Sequence, residues 1–170
     1  MKKILVVISL VLLVSVSGLF AQTNAKLGYI NSAELMQMMP GKDTVEARLT
    51  EYKASLDQTM QVMYQEYQGK LQDYQNNVAT MSQIIRQTKE KELQDLETRI
   101  QQFQQSAEQD FQQKQAELFT PVTNRAKEAI NAVAKEGGYT YIFDLSVGAV
   151  IYFETGDNIL PKVKTKLGIQ

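Results

Sequence analysis

The sequence contains no cysteine and no histidine, and it has only three prolines. Without cysteine the chain can form no disulfide framework, and it cannot carry the acylated cysteine of a lipoprotein. The same absences remove the thiol nucleophile, the commonest general base and the usual zinc ligands. There is also no glycine-rich phosphate-binding loop. We therefore expect no enzyme, no metal site, no cofactor and no action driven by ATP.

The amino-terminal segment has the order of a secretory signal peptide. Lys2 and Lys3 precede an apolar run over residues 4–16, and small residues lead to Ala21. The alternative is an uncleaved membrane anchor, but a spanning helix needs about 20 apolar residues, more than this run supplies. We expect cleavage near Ala21 and an exported, soluble mature protein.

The charge of the mature chain is close to balanced. Removal of Lys2 and Lys3 leaves 16 basic against 19 acidic side chains, a net charge of −3. Affinity for nucleic acid comes largely from basic residues that neutralise phosphates. We therefore expect no nucleic-acid partner.

Residues 43–136 are predicted to be helical, because they hold one glycine, Gly69, and one proline, Pro121, among many Gln, Glu, Lys, Leu, Met and Ala residues. Their apolar residues form two stripes, and the first stripe repeats every 11 residues, close to the natural helix period. Two helical legs that face each other along these stripes are therefore expected. The first stripe is Leu49, Tyr52, Leu56, Met60, Met63, Tyr67, Leu71, Tyr74 and Val78; the second is Leu93, Leu96, Ile100, Phe103, Ala107, Phe111, Leu118 and Val122, interrupted by Lys114.

Outside the stripes both legs are polar, so they bury too little surface for a globular core and should project as a rod. The turn between the legs is indicated only by Asn76–Asn77, and a single unbroken helix is the alternative. A kink is expected near residues 117–121, because Pro121 has no backbone N–H to donate to a helical hydrogen bond. Gly137–Gly138 should end the second leg. Acid–base pairs four residues apart should support the helices at Glu66–Lys70, Asp95–Arg99 and Asp110–Lys114.

Both ends of the mature chain contain β-like runs. Residues 26–31 predict one strand, and residues 139–144 and 149–154, rich in Tyr, Ile, Val and Phe, predict a β-hairpin around Gly148. A sheet this small is marginal, so we expect it to pair with the first strand and with copies of itself. A short helix with Ile159, Val163 and Leu167 on one face should follow Asp157–Asn158 as caps.

The succession of KLGYINSAELMQMMPG, a Gln-rich helical segment and GYTYIFDLSVGAVIYFETGDNILPKVKTKLG resembles the Skp/OmpH family of periplasmic chaperones over nearly the whole mature chain. The resemblance implies an α+β, mostly α fold, in which a small β body forms a trimeric barrel-like core and carries a long antiparallel α-helical hairpin arm. It implies a periplasmic homotrimer whose arms hold unfolded outer-membrane proteins in a cavity, without ATP, until membrane insertion.

On this basis we expect a signal peptide at residues 1–21, a β body at residues 22–42 and 121–170, and a hairpin arm at residues 43–120. The off-stripe residues Tyr64, Met81 and Phe119 are candidates for client contact, since Tyr and Met make adaptable contacts. For the other Tyr and Met residues of the arms, packing between the legs is the simpler interpretation. The trimer body is expected to contain Tyr29, Tyr141, Ile142, Phe143, Val150, Ile151, Tyr152 and Phe153.

Two alternatives concern partners. The best-known family members are strongly basic whereas this chain is slightly acidic, so binding of lipopolysaccharide is not expected to carry over. We interpret Arg86, Lys89 and Lys91 as a solvated helix face, because Glu90 and Glu92 lie among them; contact with lipopolysaccharide or a membrane surface is the alternative. The rival function is an exported coiled-coil tether of the cell envelope.

Overall fold

The computed structural model describes residues 25–152 and 156–169. The predicted signal peptide and Phe153 lie outside these residues. Within them the chain is mostly helical, with a small sheet. The elements in chain order are β1 (Leu27–Ile30), α1 (Ser32–Gln37), α2 (Lys42–Asn77), α3 (Gln83–Glu136), β2 (Tyr141–Asp144), a 3-10 turn (Leu145–Val147), β3 (Asp157–Asn158) and α4 (Leu160–Leu167).

The helical segment is divided into two long helices, so the single unbroken helix is wrong. Helix α2 ends at Asn77, whose side-chain amide donates to the carbonyl of Asp73 at 2.8 Å. Ser82 caps α3, with its hydroxyl accepting from the backbone N–H of Ile85 at 3.4 Å. Ser82 thus satisfies one of the backbone N–H groups that the start of a helix leaves open, and Asn77 donates into the last turn of α2, so the turn forms without Gly or Pro.

Pro121 lies inside α3 and does not end it, because the helix continues to Glu136. The kink expected there stays a prediction.

The predicted end of the second long helix is confirmed. Gly137 is its C-terminal cap, and Gly138 adopts a φ of 65°, a left-handed conformation that favours glycine.

The sheet has the order β2-β1-β3, and both neighbours of β1 run parallel to it. It is open, so a closed barrel is not formed within one chain. The predicted hairpin is wrong in the described residues, because residues 149–152 form a loop and the third strand is Asp157–Asn158. The physical reason is that the chain leaves β2 through a 3-10 turn that ends at Gly148, at a φ of 68°, instead of through a tight β-turn, so residues 149–152 do not pair with β2.

The sheet packs closely on its helical side at Gly28. A Cβ added there would lie 2.8 Å from Cδ1 of Ile142 and 3.1 Å from the ring of Tyr139. Tyr139 in turn ties the sheet to the carboxyl-terminal elements: its hydroxyl donates to Asp157 at 2.7 Å and accepts from Lys162 at 3.0 Å, while the ammonium of Lys26 lies 4.3 Å from its ring centre. The hydrogen bond from Tyr139 lowers the pKa of Asp157.

One hydrophobic core joins the two ends of the described chain to the roots of the long helices. The predicted closing helix is confirmed as α4, and it buries Leu160, Val163 and Leu167 on one face. The buried residues of this body core are Ile30, Leu35, Met39, Val45, Leu49, Val122, Ala126, Ala129, Val133, Ile159, Leu160, Val163 and Leu167. In the part of the chain that the structure describes, no helix is both long and apolar enough to cross a membrane.

We predict that Ile159→Ala lowers the free energy of unfolding by about 2–5 kcal/mol, because Ile159 is fully buried and the substitution leaves a cavity. Ile84→Ala is the matched control, since Ile84 is 77 % exposed and its truncation should change stability by less than about 0.5 kcal/mol. Urea unfolding followed by circular dichroism measures both changes. Equal effects of the two substitutions would contradict this account of the core.

Candidate functional surfaces

The contact between α2 and α3 follows the predicted stripes. Every residue of the first stripe is buried or half-buried, and between residues 50 and 78 the only other residue shielded to this degree is Lys70. On α3, Leu96 and Ile100 are 3 % and 4 % exposed and form no part of the body core. The rest of the second stripe up to Leu118 is half-buried. The long helices therefore share a narrow seam with one well-packed point near its middle.

Polar side chains add contacts across the seam. The hydroxyl of Tyr74 donates to Glu90 at 2.5 Å, which raises the pKa of Tyr74. Nε2 of Gln104 donates to the hydroxyl of Tyr64 at 2.7 Å. The ammonium of Lys70 lies 3.6 Å from Glu92. These exposed contacts set which residues of the two helices meet, although each contributes little free energy.

The predicted pairs within one helix are found in part. Lys70 pairs with Glu66 at 3.9 Å, as expected. Lys114 instead pairs with Glu117 at 3.0 Å, and Asp95–Arg99 is not among the ion pairs of the described residues. On a solvated helix a lysine can choose among several carboxylates of similar energy, so sequence spacing alone does not select the partner.

The basic cluster near the turn is largely engaged within the protein. Lys89 lies 3.4 Å from the carboxylate of Asp73, and Nη2 of Arg86 donates to the carbonyl of Val78 at 3.3 Å. Lys91 is exposed. Two of the three cations therefore help to hold the two helices together, in addition to lying on the helix face predicted from the sequence.

The three client-contact candidates lie in different surroundings. Tyr64 is 41 % exposed beside the seam. Met81 lies half-buried in the turn between α2 and α3. Phe119 is half-buried and packs against the body core. The structure does not bring the three together into one site.

Three further apolar side chains of the arm are exposed, and sequence reasoning missed them as contact candidates. Val62, Ile84 and Ile85 are 57 %, 77 % and 51 % exposed. A signal was available, because all three are apolar residues of the helical segment that fall outside both stripes. With Tyr64, they form a dispersed set of apolar side chains on an otherwise polar pair of helices.

The body carries a larger apolar surface. Tyr141 and Phe143 are 61 % and 43 % exposed, and their rings stack with centres 6.4 Å apart. Ile142, between them, points the opposite way and packs against the body core, as strand alternation requires. Ile151 and Tyr152 are 98 % and 77 % exposed on the loop after the 3-10 turn.

Phe143, Ile151 and Tyr152 line a groove of about 690 Å³ between the sheet and the loop. The groove is lined by residues of both the sheet and the loop, including the predicted body residues Tyr29 and Val150. Large apolar patches on a soluble protein mark interaction sites. The lining residues are Leu27, Gly28, Tyr29, Phe143, Leu145, Ala149, Val150, Ile151, Tyr152 and Gly156.

Over residues 25–152 and 156–169, no group of three or more Asp, Glu, His or Cys side chains is placed to hold a metal ion. The exposed carboxylates of the arm lie on solvated helix faces. What the two surfaces can provide is apolar contact, dispersed along the arm and concentrated on the body.

The comparisons with known proteins identify one family. The family model described as "Outer membrane protein (OmpH-like)" matches residues 26–167. A search of curated proteins finds no match. The matched range includes β1, both long helices and α4 and so contains both surfaces.

We predict that Ile100→Ala loosens the outer arm and leaves the body intact, because Ile100 is one of two well-buried residues near the middle of the seam. Hydrogen exchange measured by mass spectrometry should become faster in the facing parts of α2 and α3, while α4 keeps its protection. Val62→Ala is the control, since Val62 is 57 % exposed and should leave exchange unchanged. Faster exchange in α4 as well would show that arm and body unfold together.

Proposed function

The chain belongs to the OmpH-like family, whose members are periplasmic chaperones that bind outer-membrane proteins, and from this premise we propose that it is an ATP-independent holdase for unfolded outer-membrane proteins. It keeps its clients from aggregating in the periplasm until they insert into the membrane. The observation that carries this proposal is the dispersed set of exposed apolar side chains on long polar helices.

The arm is suited to contact many clients weakly. An unfolded barrel protein exposes alternating apolar strands that would otherwise pair edge to edge. Val62, Tyr64, Ile84 and Ile85 are exposed on a pair of helices whose outer faces are otherwise polar, so one arm has little tendency to collapse onto another. Met81 adds a flexible apolar side chain at the turn. Several shallow contacts of this kind, linked on one scaffold, add up through a high effective concentration.

We propose that α2 and α3 form an antiparallel hairpin arm, corresponding to residues 43–120, on a body built from residues 22–42 and 121–170. The cross-seam pairs support this arrangement, because Tyr74 meets Glu90 near the turn while Tyr64 meets Gln104 further from it. At 1.5 Å per residue, α2 spans roughly 54 Å, which is enough to form the wall of a cavity.

The body is proposed to form a homotrimer. A single chain leaves Phe143, Ile151 and Tyr152 exposed at the groove and Tyr141 exposed on the same sheet face as Phe143, and burial of such a surface favours association. Three open sheets brought together at these faces would build the barrel-like core that one chain lacks. Three arms would then surround one cavity, with residues 1–21 acting as the export signal that is removed near Ala21.

Release then requires no fuel. Folding into the outer membrane buries the client's apolar strands, so the folded client no longer offers contacts to the arms. The equilibrium shifts toward free chaperone by mass action. This mechanism distinguishes a holdase from a structural tether, which would not keep an unfolded barrel protein soluble.

We predict that the purified mature protein sediments as a trimer at micromolar concentration and that Ile151→Asp converts it to monomers, because a charge would then be buried in the interface. Ile84→Asp makes the same change on the arm and should leave the trimer intact. Analytical ultracentrifugation measures all three proteins. A trimer that survives Ile151→Asp would place the interface elsewhere.

We predict that suppression of aggregation of an unfolded outer-membrane barrel protein depends on the exposed apolar arm residues jointly. Tyr64→Ala alone should weaken binding by only about twofold, whereas replacing all four exposed residues by serine should weaken it by about tenfold or more. The loss of client binding caused by a single substitution is small, because the remaining contacts still hold the client. The four residues are Val62, Tyr64, Ile84 and Ile85.

The control replaces four exposed glutamines of the same helices by serine, which should leave the holding activity unchanged. Light scattering without nucleotide reports aggregation, and sedimentation checks that each variant is still assembled. Elimination of binding by one substitution, or a requirement for ATP, would point to a discrete site instead. The control glutamines are Gln61, Gln65, Gln83 and Gln87.

A further inference from the structure

Asp144 lies at the end of β2, and its carboxylate joins segments far apart in the chain. Oδ1 accepts from the backbone N–H of Ser32 at 3.0 Å, and Oδ2 accepts from the hydroxyl of the same serine at 2.5 Å. Oδ1 also accepts from the backbone N–H of Ser146 at 3.0 Å and from its hydroxyl at 2.8 Å. The two serine hydroxyls are 2.9 Å apart. One carboxylate thus receives four hydrogen bonds.

These bonds anchor the start of the loop that borders the groove. Ser32 begins α1, directly after Asn31, whose side chain caps that helix. Ser146 lies in the 3-10 turn that leads, through Gly148, into residues 149–152. Among the described residues, those loop residues take part in no hydrogen bond of their own. The hydrogen bonds at Asp144 therefore hold the root of this loop in place.

The carboxylate form is well suited to this position. Partial burial raises the pKa of Asp144, but the hydrogen bonds from Ser32 and Ser146 outweigh it and lower the pKa to about 2. A depressed pKa means that the bonds contribute fully above the ordinary value and are lost only as the pH falls through about 2. Asp144 is therefore ionised at neutral pH, and hydrogen bonds to a charged acceptor are stronger than neutral ones.

We propose that Asp144 is a positioning residue for self-association. By holding Ser32 and Ser146 together, it fixes residues 145–152 as one wall of the groove. The position of this wall then sets the strength of self-association. This inference rests on the proposed function for its second step, because the trimer is itself proposed. Its first step, the placement of the loop, stands on the geometry of a single chain.

The chemistry of the side chain matters at this position. An asparagine has nearly the same shape, but its Nδ2 is a donor and cannot accept from the hydroxyl or N–H groups that converge on Asp144. Asp144→Asn should therefore break part of the network with little change in volume. Ser146→Ala removes a single hydroxyl and leaves the carboxylate, and it provides a milder second variant.

The first experiment measures the loop in isolated chains. The protein has no cysteine, so Ala149→Cys allows one nitroxide label in the loop, in the Ile151→Asp background that is expected to be monomeric. Electron paramagnetic resonance should show faster label motion when Asp144→Asn is added and a smaller increase for Ser146→Ala. Asp110→Asn, an exposed acid on α3, is the matched control and should leave the spectrum unchanged.

The second experiment measures association in the unlabelled chain with Ile151 intact. Asp144→Asn should raise the concentration at which the trimer dissociates by about tenfold or more, with unchanged helical circular dichroism. Faster loop motion together with weaker association supports the proposal. Unchanged loop motion overturns it, and so does faster motion with unchanged association.

A failure of the proposed trimer can be distinguished from a failure of the proposed role of Asp144. If the unsubstituted protein is monomeric at all concentrations, the trimer is wrong, and the label motion alone then decides whether Asp144 positions the loop. If Asp144→Asn lowers the helical content, Ser146→Ala replaces it in both measurements, with the same outcomes supporting or overturning the proposal.

Discussion

The structure depends on the contact between its two ends. Ile30 is the last residue of β1, Leu35 lies in α1, Ile159 caps α4 and Val163 lies within it, and all four are almost inaccessible to solvent. Around them pack the roots of both long helices, including Val45 and Val122. With no disulfide available, this apolar contact is what holds the body together, and the arm can project because its base is fixed there.

The arm has enough apolar surface to hold its two helices together and too little to form a globular core. One narrow stripe on each helix is enough to keep the two helices together, since most stripe residues are half-buried and only a few are fully buried. The remaining faces are polar, so beyond its root the arm neither joins the body core nor covers its own exposed apolar residues. A surface of this kind is suited to weak, repeated contacts with an unfolded chain.

The two faces of the sheet in the body differ. The sheet is covered by helices on the side of Ile142 and left open on the side of Tyr141 and Phe143. A three-stranded sheet with an exposed apolar face is marginal as an isolated unit. The loop held at Asp144 borders this face, so one carboxylate links the internal fold to the surface through which copies of the chain are proposed to meet.

The sequence by itself determined the elements that local periodicity specifies. The 11-residue repeat predicted which side chains are shielded from Leu49 to Val78, Gly137–Gly138 marked the end of the second long helix, and Ile159, Val163 and Leu167 marked the closing helix. These signals are reliable because side chains three, four and seven residues apart necessarily share a helix face. The family was also recognisable from the order of these segments.

Only the tertiary structure decided how distant segments pair. The run at residues 149–152 reads as a strand, yet the place beside β1 is taken by Asp157–Asn158. Asp144 and Ser32 are separated by 112 positions, and no local pattern shows that they meet. Strand composition reports that a segment can pair and not with which partner, because partner choice depends on how the whole chain closes its core.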